Sequence, residues 1–459
     1  MNLPIDMNIF PRKKGVYIVG GSIRDLLCGR TPLDYDLVVK GDPEQFARSL
    51  ASRISGRFVE IGKRGQTVRR VVTKDIVYDI MPVNGMSIDE DLRRRDFTVN
   101  AMAVAVYSGN LIDRLGGLRD LAAKKIRMVS DDVFHKDPVR LLRAYRLAAS
   151  FGFSIDSETH NALARDANLI TEPAGERIRE ELVKTLQCAR SHAHLAGMAG
   201  SGLLFNVFPE LLDLAKCRLP LKSDPNLFEQ TLDCLNRLEK LLDDGEQFAG
   251  MFCDRLFQEI DTARATLLKW SILFHDIGKP MVRTSSGEEN IHFRGHAAKS
   301  AAMARKIFQR LKFSKRQADS IVFIIASHRW PFFLFRAQGK KKPDRRAFTR
   351  FFMRCRDLTP DILLHALAEF KGTNTTHRPS DTDNFTDFIN SLIQHYHFVL
   401  QPRASMSPPL NGNDLINEFG LKPSVQFKRI LRRLEEENLS RPLTRDQALI
   451  LVKKMLKLK

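Results

Sequence analysis

A mixed α/β head of about 125 residues followed by an all-helical body is the architecture this sequence predicts, and three observations predict it. Between residues 15 and 125 short β-rich runs (GVYIVGG, YDLVVK, TVRRVVT, IVYDIM) alternate with a helix-like stretch, DPEQFARSLASRI. Beyond about residue 126 the strand signal disappears, and PVRLLRAYRLAASFGF and GERIREELVKTL carry apolar residues at three- and four-residue spacing, as amphipathic helices do. Clusters of Pro, Ser, Gly and Asn near Lys222-Ser223-Asp224-Pro225 and between Pro402 and Asn413 punctuate the helical part. No internal repeat and no long low-complexity tract is present.

At 459 residues the chain is too long for one core and is expected to divide into three or four units. Lys and Arg outnumber Asp and Glu by 73 to 54, a net charge of +19 spread along the chain, which suits a polyanionic partner. Six scattered cysteines (Cys28, Cys188, Cys217, Cys234, Cys253, Cys355) without a CxxC pair argue against a disulfide framework or a structural zinc site, and for a reducing cytosol. The opening MNLPIDMNIFPRKKG lacks the apolar core of a signal peptide. The most apolar stretch, Ile321 to Phe335, is broken by His328, Arg329 and Pro331 and is not expected to span a membrane. The expected location is therefore cytoplasmic.

The chemistry starts at Gly20-Gly21-Ser22-Ile23-Arg24-Asp25, between a strand and a helix. Glycines let the backbone approach a ligand, a helix N-terminus offers N–H groups to phosphate, and Arg24 adds a charge that can reach a triphosphate. Ten residues on, Asp34-Tyr35-Asp36 enters a strand in which residues i and i+2 share a face, so both carboxylates project together. Acids that close repel, and divalent cations relieve the repulsion. Two ions about 4 Å apart can activate an attacking hydroxyl and stabilise departing pyrophosphate. Asp79, in the run Ile76-Val77-Tyr78-Asp79-Ile80, is the candidate third carboxylate from a neighbouring strand.

GGSIRDLLCGRTPLDYDLVV resembles the signature of the polymerase-β-like nucleotidyltransferases, in the class II branch that holds bacterial CCA-adding enzymes and poly(A) polymerases. Four later segments resemble that branch in the same order. Arg94-Arg95-Asp96-Phe97-Thr98-Val99-Asn100-Ala101 resembles its ribose-recognition motif, with Asp96 and Asn100 on the sugar hydroxyls and Arg94 and Arg95 beside the nucleotide. Ile112-Asp113-Arg114-Leu115-Gly116-Gly117 resembles its hinge, Asp137-Pro138-Val139-Arg140-Leu141-Leu142-Arg143 its base-selecting motif, and Glu176-Arg177-Ile178-Arg179-Glu180-Glu181-Leu182 its last neck motif. The resemblance implies a nucleotidyltransferase head over 1–125, a helical neck over 126–222, an HD-type helical domain over 223–400 and a tRNA-binding helical tail over 401–459.

Asp137 and Arg140, three residues apart, are expected on one helix face. A carboxylate accepts from the cytosine N4 amine while a guanidinium donates to N3 and O2; uracil and guanine offer the wrong pattern, and adenine's edge can also be met. Lys136 stands where the family often has Glu. Arg143 and Arg146 continue a basic stripe that either holds phosphate or faces solvent. Only Met81 to Arg93 separates Asp79 from Arg94, where CCA-adding members carry a longer flexible loop; the short segment resembles members that add CC and leave the final A to a partner enzyme.

In the middle domain Leu273-Phe274-His275-Asp276-Ile277-Gly278-Lys279-Pro280 resembles the HD phosphohydrolase motif and is followed by His292, His296 and His328, which implies a divalent metal on His275, Asp276, His296 and His328. Gln230 stands where an early His is expected, and His365 or Glu369 where an Asp is usual, so a structural remnant that supports tRNA binding is the expected role. In the tail, Gly412-Asn413-Asp414-Leu415, Gly420-Leu421-Lys422-Pro423-Ser424 and the basic end Lys453 to Lys459 resemble HD-containing members. The expectation is CMP and possibly AMP transfer from CTP and ATP to a tRNA 3′ end with two Mg²⁺ ions. The rivals are a poly(A) polymerase and an HD phosphohydrolase with an RNA-binding head.

Overall fold

The structure is a computed structural model that describes residues 3–62, 67–217, 225–243, 259–285, 291–338, 345–373 and 379–458. The break expected at Lys222-Ser223-Asp224 and the residue Cys253 lie outside the described residues. The chain divides into two compact units, Met1–Val207 and Phe208–Lys459.

The first unit opens with a seven-stranded sheet: β1 (Val16–Val19), β2 (Asp34–Val39), β3 (Arg57–Ile61), β4 (Val68–Val72), β5 (Val77–Pro82), β6 (Met102–Ala105) and β7 (Leu111–Asp113). The spatial order is β3-β4-β5-β2-β1-β6-β7, parallel only between β2 and β5. Helices α1 (Gly21–Leu27), α2 (Pro43–Arg53), α3 (Ile88–Arg93) and α4 (Gly117–Ala122) punctuate it. β3, β6 and β7 carry no strong β pattern in the sequence; β6 reads as the run Met-Ala-Val-Ala, and its neighbours on both sides make it a strand.

Alternation along β2 decides which face becomes a site. Tyr35, Leu37 and Val39 enter the main core, where Phe46, Ala47 and Leu50 of α2 cover the sheet together with Val71, Tyr78 and Ile80. Asp34 and Asp36 must then point to the opposite face, and on β4 and β5 Arg70 and Asp79 do so for the same reason. Asp42 caps α2 by accepting from Glu44 and Gln45 N–H groups, with Pro43 at the first helical position.

The first unit continues with α5 (Val133–Lys136), α6 (Arg140–Phe151), α7 (Ser157–Arg165), α8 (Gly175–Gln187), α9 (Ser191–Gly200) and α10 (Leu203–Val207). One expectation is corrected here. Asp137 and Arg140 do not share a helix, because Asp137 precedes Pro138 and is driven to extended backbone (φ −155°, ψ 98°), ending α5 before α6 begins at Arg140.

In the second unit the helices Leu227–Asp243, Thr262–Phe274, His296–Arg310, Lys315–Ser327 and Thr359–Thr373 pack together. Their core is aromatic: the Trp270 ring meets Phe208, Phe274, Phe308 and Phe313 at centroid distances of 5.5–6.2 Å. Two-residue strand pairs, Lys125–Ile126 with Ser154–Ile155 and Thr284–Ser285 with Ile291–His292, are small exceptions to the all-helical reading. The apolar run at Ile321 to Phe335 is split between two helices at His328-Arg329. No helix among the described residues is long and apolar enough to cross a membrane. The end of the chain has its own core, in which Leu415, Phe427, Ile430, Leu434, Ala448 and Val452 meet.

Candidate active site

Three neighbouring strands line up the acids on one face. Asp36 on β2 stands in register with Asp79 on β5, and Asp79 stands in register with Arg70 on β4, which donates both arms of its guanidinium to the carboxylate at 2.7 Å. Asp34 sits two residues from Asp36 on the same face and is exposed. Burial raises the Asp36 carboxyl above its ordinary range; Arg95 pulls it down, and the charges of Asp34 and Asp79 push it up again. The like charges of Asp34 and Asp79 therefore crowd Asp36, a repulsion of the kind that a divalent cation relieves.

Beside Asp36 lies a polar cavity of about 240 Å³ lined by Gly20, Gly21, Asn84, Asp91, Arg94, Arg95, Asp96, Asn100, Arg140 and Arg143. Gly20 cannot be replaced freely. Its φ is +80°, and a Cβ there would lie 2.7 Å from an Arg95 guanidinium nitrogen and 3.4 Å from an Asp36 oxygen. Arg95 is aimed by Asp91, one helical turn earlier, whose carboxylate is buried and 3.1 Å away.

Asp96 and Asn100 are buried and already bonded to each other. Asp96 Oδ1 accepts from the Phe97 N–H and from Asn100 Nδ2, and Oδ2 accepts from Arg143 at 3.2 Å. Burial pushes the Asp96 carboxyl up, but Arg143, the Asn100 amide and the Phe97 N–H together hold it below the usual carboxylate range. These bonds leave about one acceptor site on Asp96 and one N–H on Asn100, the complement of a hydroxyl group. Arg24 is buried: it donates to Asp25 and, at 2.5 Å, to Asn100 Oδ1, and its guanidinium lies 4.4 Å from the centre of the Phe151 ring. Its charge is thus fixed on Asp25 and Asn100.

Arg140 donates to the backbone carbonyls of Arg94 and Arg95 and stands 4.0 Å from Asp137, which is held by Arg177 of α8 at 2.9 Å. Lys136 turns away to Asp132, so Arg177 supports Asp137 here. Arg143 and Arg146 converge on the buried Glu181 of α8. Of the two readings of this basic stripe, neither arginine is a free solvated cation. Sequence reasoning missed Arg70 and Asp91, and it placed Glu181 in a motif without its partners Arg143 and Arg146. Only the spacing of Asp91 to Arg95, four residues on a helical stretch, was a readable signal.

The segment after Asp79 is short and tied down. Asn84 N–H donates to Asp91, Met86 N–H donates to Glu90, and Ser87 caps α3.

In the second unit Asp276, His296 and His328 place one ligand atom each within 4.8 Å of one another, all buried. His275, His296 and His328 each turn Nδ1 to a carbonyl three residues back (Ile272, Phe293, Ile325; 2.7–2.8 Å), which leaves Nε2 facing inward. His275 Nε2 lies 3.0 Å from Asp276, and neither it nor Asp276 Oδ1 has a hydrogen-bond partner. Those orphaned buried atoms and the imidazole donors fit a divalent metal. The ring of His365 stands 5.2 Å from that of His275, and Glu369 lies 3.9 Å from His328, so both late candidates reach the cluster. Gln230 is half-buried, and His292 is exposed on its strand. Gly278 lets the turn pass the next helix, since a Cβ would meet the Ser300 nitrogen at 2.6 Å.

Three family descriptions match parts of the chain. The poly A polymerase head domain matches residues 16–84 and 81–127, the probable RNA and SrmB-binding site of polymerase A matches 152–214, and the HD domain matches 246–345. A CC-adding tRNA nucleotidyltransferase of Thermus thermophilus is 29% identical over 435 residues, covering 93% of this chain and 90% of that one. A multifunctional CCA protein of Aromatoleum aromaticum is 32% identical over 326 residues, 68% of this chain and 74% of its own. The solved structure of a CCA-adding enzyme with ATP shares the fold, with a TM-score of 0.65 at 20% identity over 97% of this chain and 90% of that one.

Proposed function

The chain belongs to the class II tRNA nucleotidyltransferase and poly(A) polymerase family, and we propose that within it this protein adds two C residues to the 3′ end of tRNA from CTP. It is a template-independent nucleotidyltransferase of the CCA-building group. The observation that carries the reading is the row Asp36–Asp79 with Asp34 beside a cationic polar cavity. The short, hydrogen-bonded segment between Asp79 and Arg94 supports CC addition, because it leaves no free loop to reorganise the base site for A.

In this mechanism Asp34 and Asp36 hold two Mg²⁺ ions, which when bound supply Lewis-acid stabilisation at the reacting phosphoryl group. Asp79 orients the primer 3′-hydroxyl and takes its proton. Arg94 and Arg95, with the backbone at Gly20 and Gly21, neutralise the triphosphate, with the Arg24 charge behind them. Asp96 and Asn100 meet a ribose hydroxyl with the one acceptor and one donor they have left. Asp137 accepts from cytosine N4 while Arg140 donates to N3 and O2; Arg177 and the carbonyls of Arg94 and Arg95 hold that pair in place. Arg143 bridges the sugar site to Glu181. The tail and neck hold tRNA by shape and phosphate, which makes binding salt-dependent. The histidine cluster holds a divalent ion through Asp276, His296 and His328, with His275 beside them, as a brace for its helices.

The test is incorporation into tRNA transcripts ending in the discriminator base, in C and in CC, with each NTP supplied separately. Growth by two C residues followed by arrest is expected. A third addition that needs ATP makes this a full CCA-adding enzyme, and long A tails on unrelated RNA move it to the poly(A) polymerases.

A further inference from the structure

The fork of Arg70 on Asp79 is the one element of the carboxylate row that the mechanism above does not use. Arg70, Asp79 and Asp36 occupy consecutive register positions on β4, β5 and β2, so their side chains share one face in that order. The nucleotide cavity lies on the far side of Asp36 and includes neither Asp79 nor Arg70. In an in-line displacement the attacking and leaving oxygens stand on opposite sides of phosphorus. With the triphosphate in the cavity, the incoming hydroxyl must arrive at the Asp79 end.

A lone carboxylate on a strand can rotate about two torsions, whereas a bidentate guanidinium holds both its oxygens in one plane. Two of its four lone-pair sites are then filled, and two remain for a hydroxyl and a cation. Arginine stays charged at any working pH and cannot take the proton itself. The pair does little for stability, since the Arg70 side chain is 38% exposed and that of Asp79 20%.

We infer that Arg70 is a positioning residue for nucleotide transfer: it holds the Asp79 carboxylate in the orientation that receives the primer hydroxyl. The inference rests on the assignment of Asp34, Asp36 and Asp79 to the transfer reaction.

The experiment measures single-turnover addition of CMP to a tRNA transcript, with CTP affinity determined separately. Asp34→Asn is run as the control for the assignment itself; if it adds CMP at the normal rate, the assignment fails. With the control inactive, Arg70→Gln is expected to lower the rate at saturating CTP by roughly 10–100-fold, the cost of a misplaced reacting group, with CTP affinity unchanged. Arg70→Lys regains part of the rate, and free guanidinium restores Arg70→Gly in a saturable way. In an Asp79→Asn background the further change Arg70→Gln costs less than about 3-fold, because nothing remains to be positioned. An equal loss in both backgrounds overturns the inference by showing that Arg70 touches the primer directly, and an unchanged rate in Arg70→Gln overturns it outright. The guanidinium rescue uses restored activity as its readout, so it separates a lost fork from a lost fold.

Discussion

The carboxylate row of the head and the histidine cluster of the helical unit are built from similar donors and put to opposite conditions. In the head Asp34 is exposed, Asp36 is raised by burial, and fixed guanidiniums from Arg70, Arg95, Arg140 and Arg143 surround the acids while a polar cavity stays open beside them. In the helical unit Asp276, His275, His328 and His365 are almost wholly out of water. Burial holds His328 well below the ordinary histidine range and His365 down at about 3, while Asp276, although burial pushes it up, is held well below the carboxylate range by His275 and Lys279. An open site with supplied cations can exchange a triphosphate every turnover. A closed site in which His296, His328 and His365 are held neutral suits a resident ion that stays.

The sharpest way to break that contrast is to remove a head acid. Asp36→Ala is expected to lower CMP incorporation by at least about 10³-fold, the loss of a charge-stabilising group at the reacting phosphate, while leaving the helical unit's unfolding transition unmoved. A retained rate would move the reaction elsewhere.

Acid titration of chelator-treated protein tests the other half. His296, His328 and His365 all lie below the ordinary histidine value because burial disfavours the imidazolium, and His275 alone is raised, by Asp276 against its own burial. Below the ordinary histidine value the unfolded chain gains protons that His296, His328 and His365 resist in the folded unit, whereas His275 carries its proton in both states. Stability of this unit should therefore fall as pH drops through the ordinary histidine range, and Asp276, held low in the folded unit, adds a further loss as pH falls through the carboxylate range. Both tryptophans, Trp270 and Trp330, belong to this unit, so tryptophan fluorescence during denaturant unfolding at each pH reads it selectively. Added Mg²⁺, Mn²⁺ or Zn²⁺ that restores the neutral-pH midpoint would support a bound ion; a midpoint flat between pH 7 and 5 would count against the neutral cluster.

Base choice gives a smaller effect. Asp137→Ala should reduce the preference for CTP over UTP by about 1–3 kcal/mol, or roughly 10–100-fold in relative rate at subsaturating nucleotide, with little change for a primer tested for binding alone. A preference that survives would assign base selection to other residues. The smallest effect is expected at Lys136, which bonds the exposed Asp132 and not Asp137. Lys136→Glu should change CMP addition by less than about 2-fold and stability by within about 0.5 kcal/mol, measured by incorporation rate and thermal midpoint. A large gain in rate would mean that Arg177 does not fully support Asp137.

Residue order alone determined the parts of this protein that depend on local pattern and short-range chemistry. The alternation Asp34-Tyr35-Asp36-Leu37 requires two acids on one face as soon as Leu37 is buried, and the helices Gly175–Gln187 and Pro43–Arg53 were legible from their residue pattern. Tertiary structure decided whatever depends on partners distant in the chain. The register that sets Arg70 beside Asp79 and Asp79 beside Asp36 arises from strand pairing across the sheet. Glu181 reaches Arg143 and Arg146 only because α6 and α8 pack together, and Arg177 replaces a neighbour at position 136 for the same reason. Pro138 could have warned that Asp137 leaves the helix, since the residue before a proline avoids helical backbone. No local pattern could announce that His365 and Glu369 both reach the buried cluster, because side-chain charge states and pairings there are set by which helices exclude water around them.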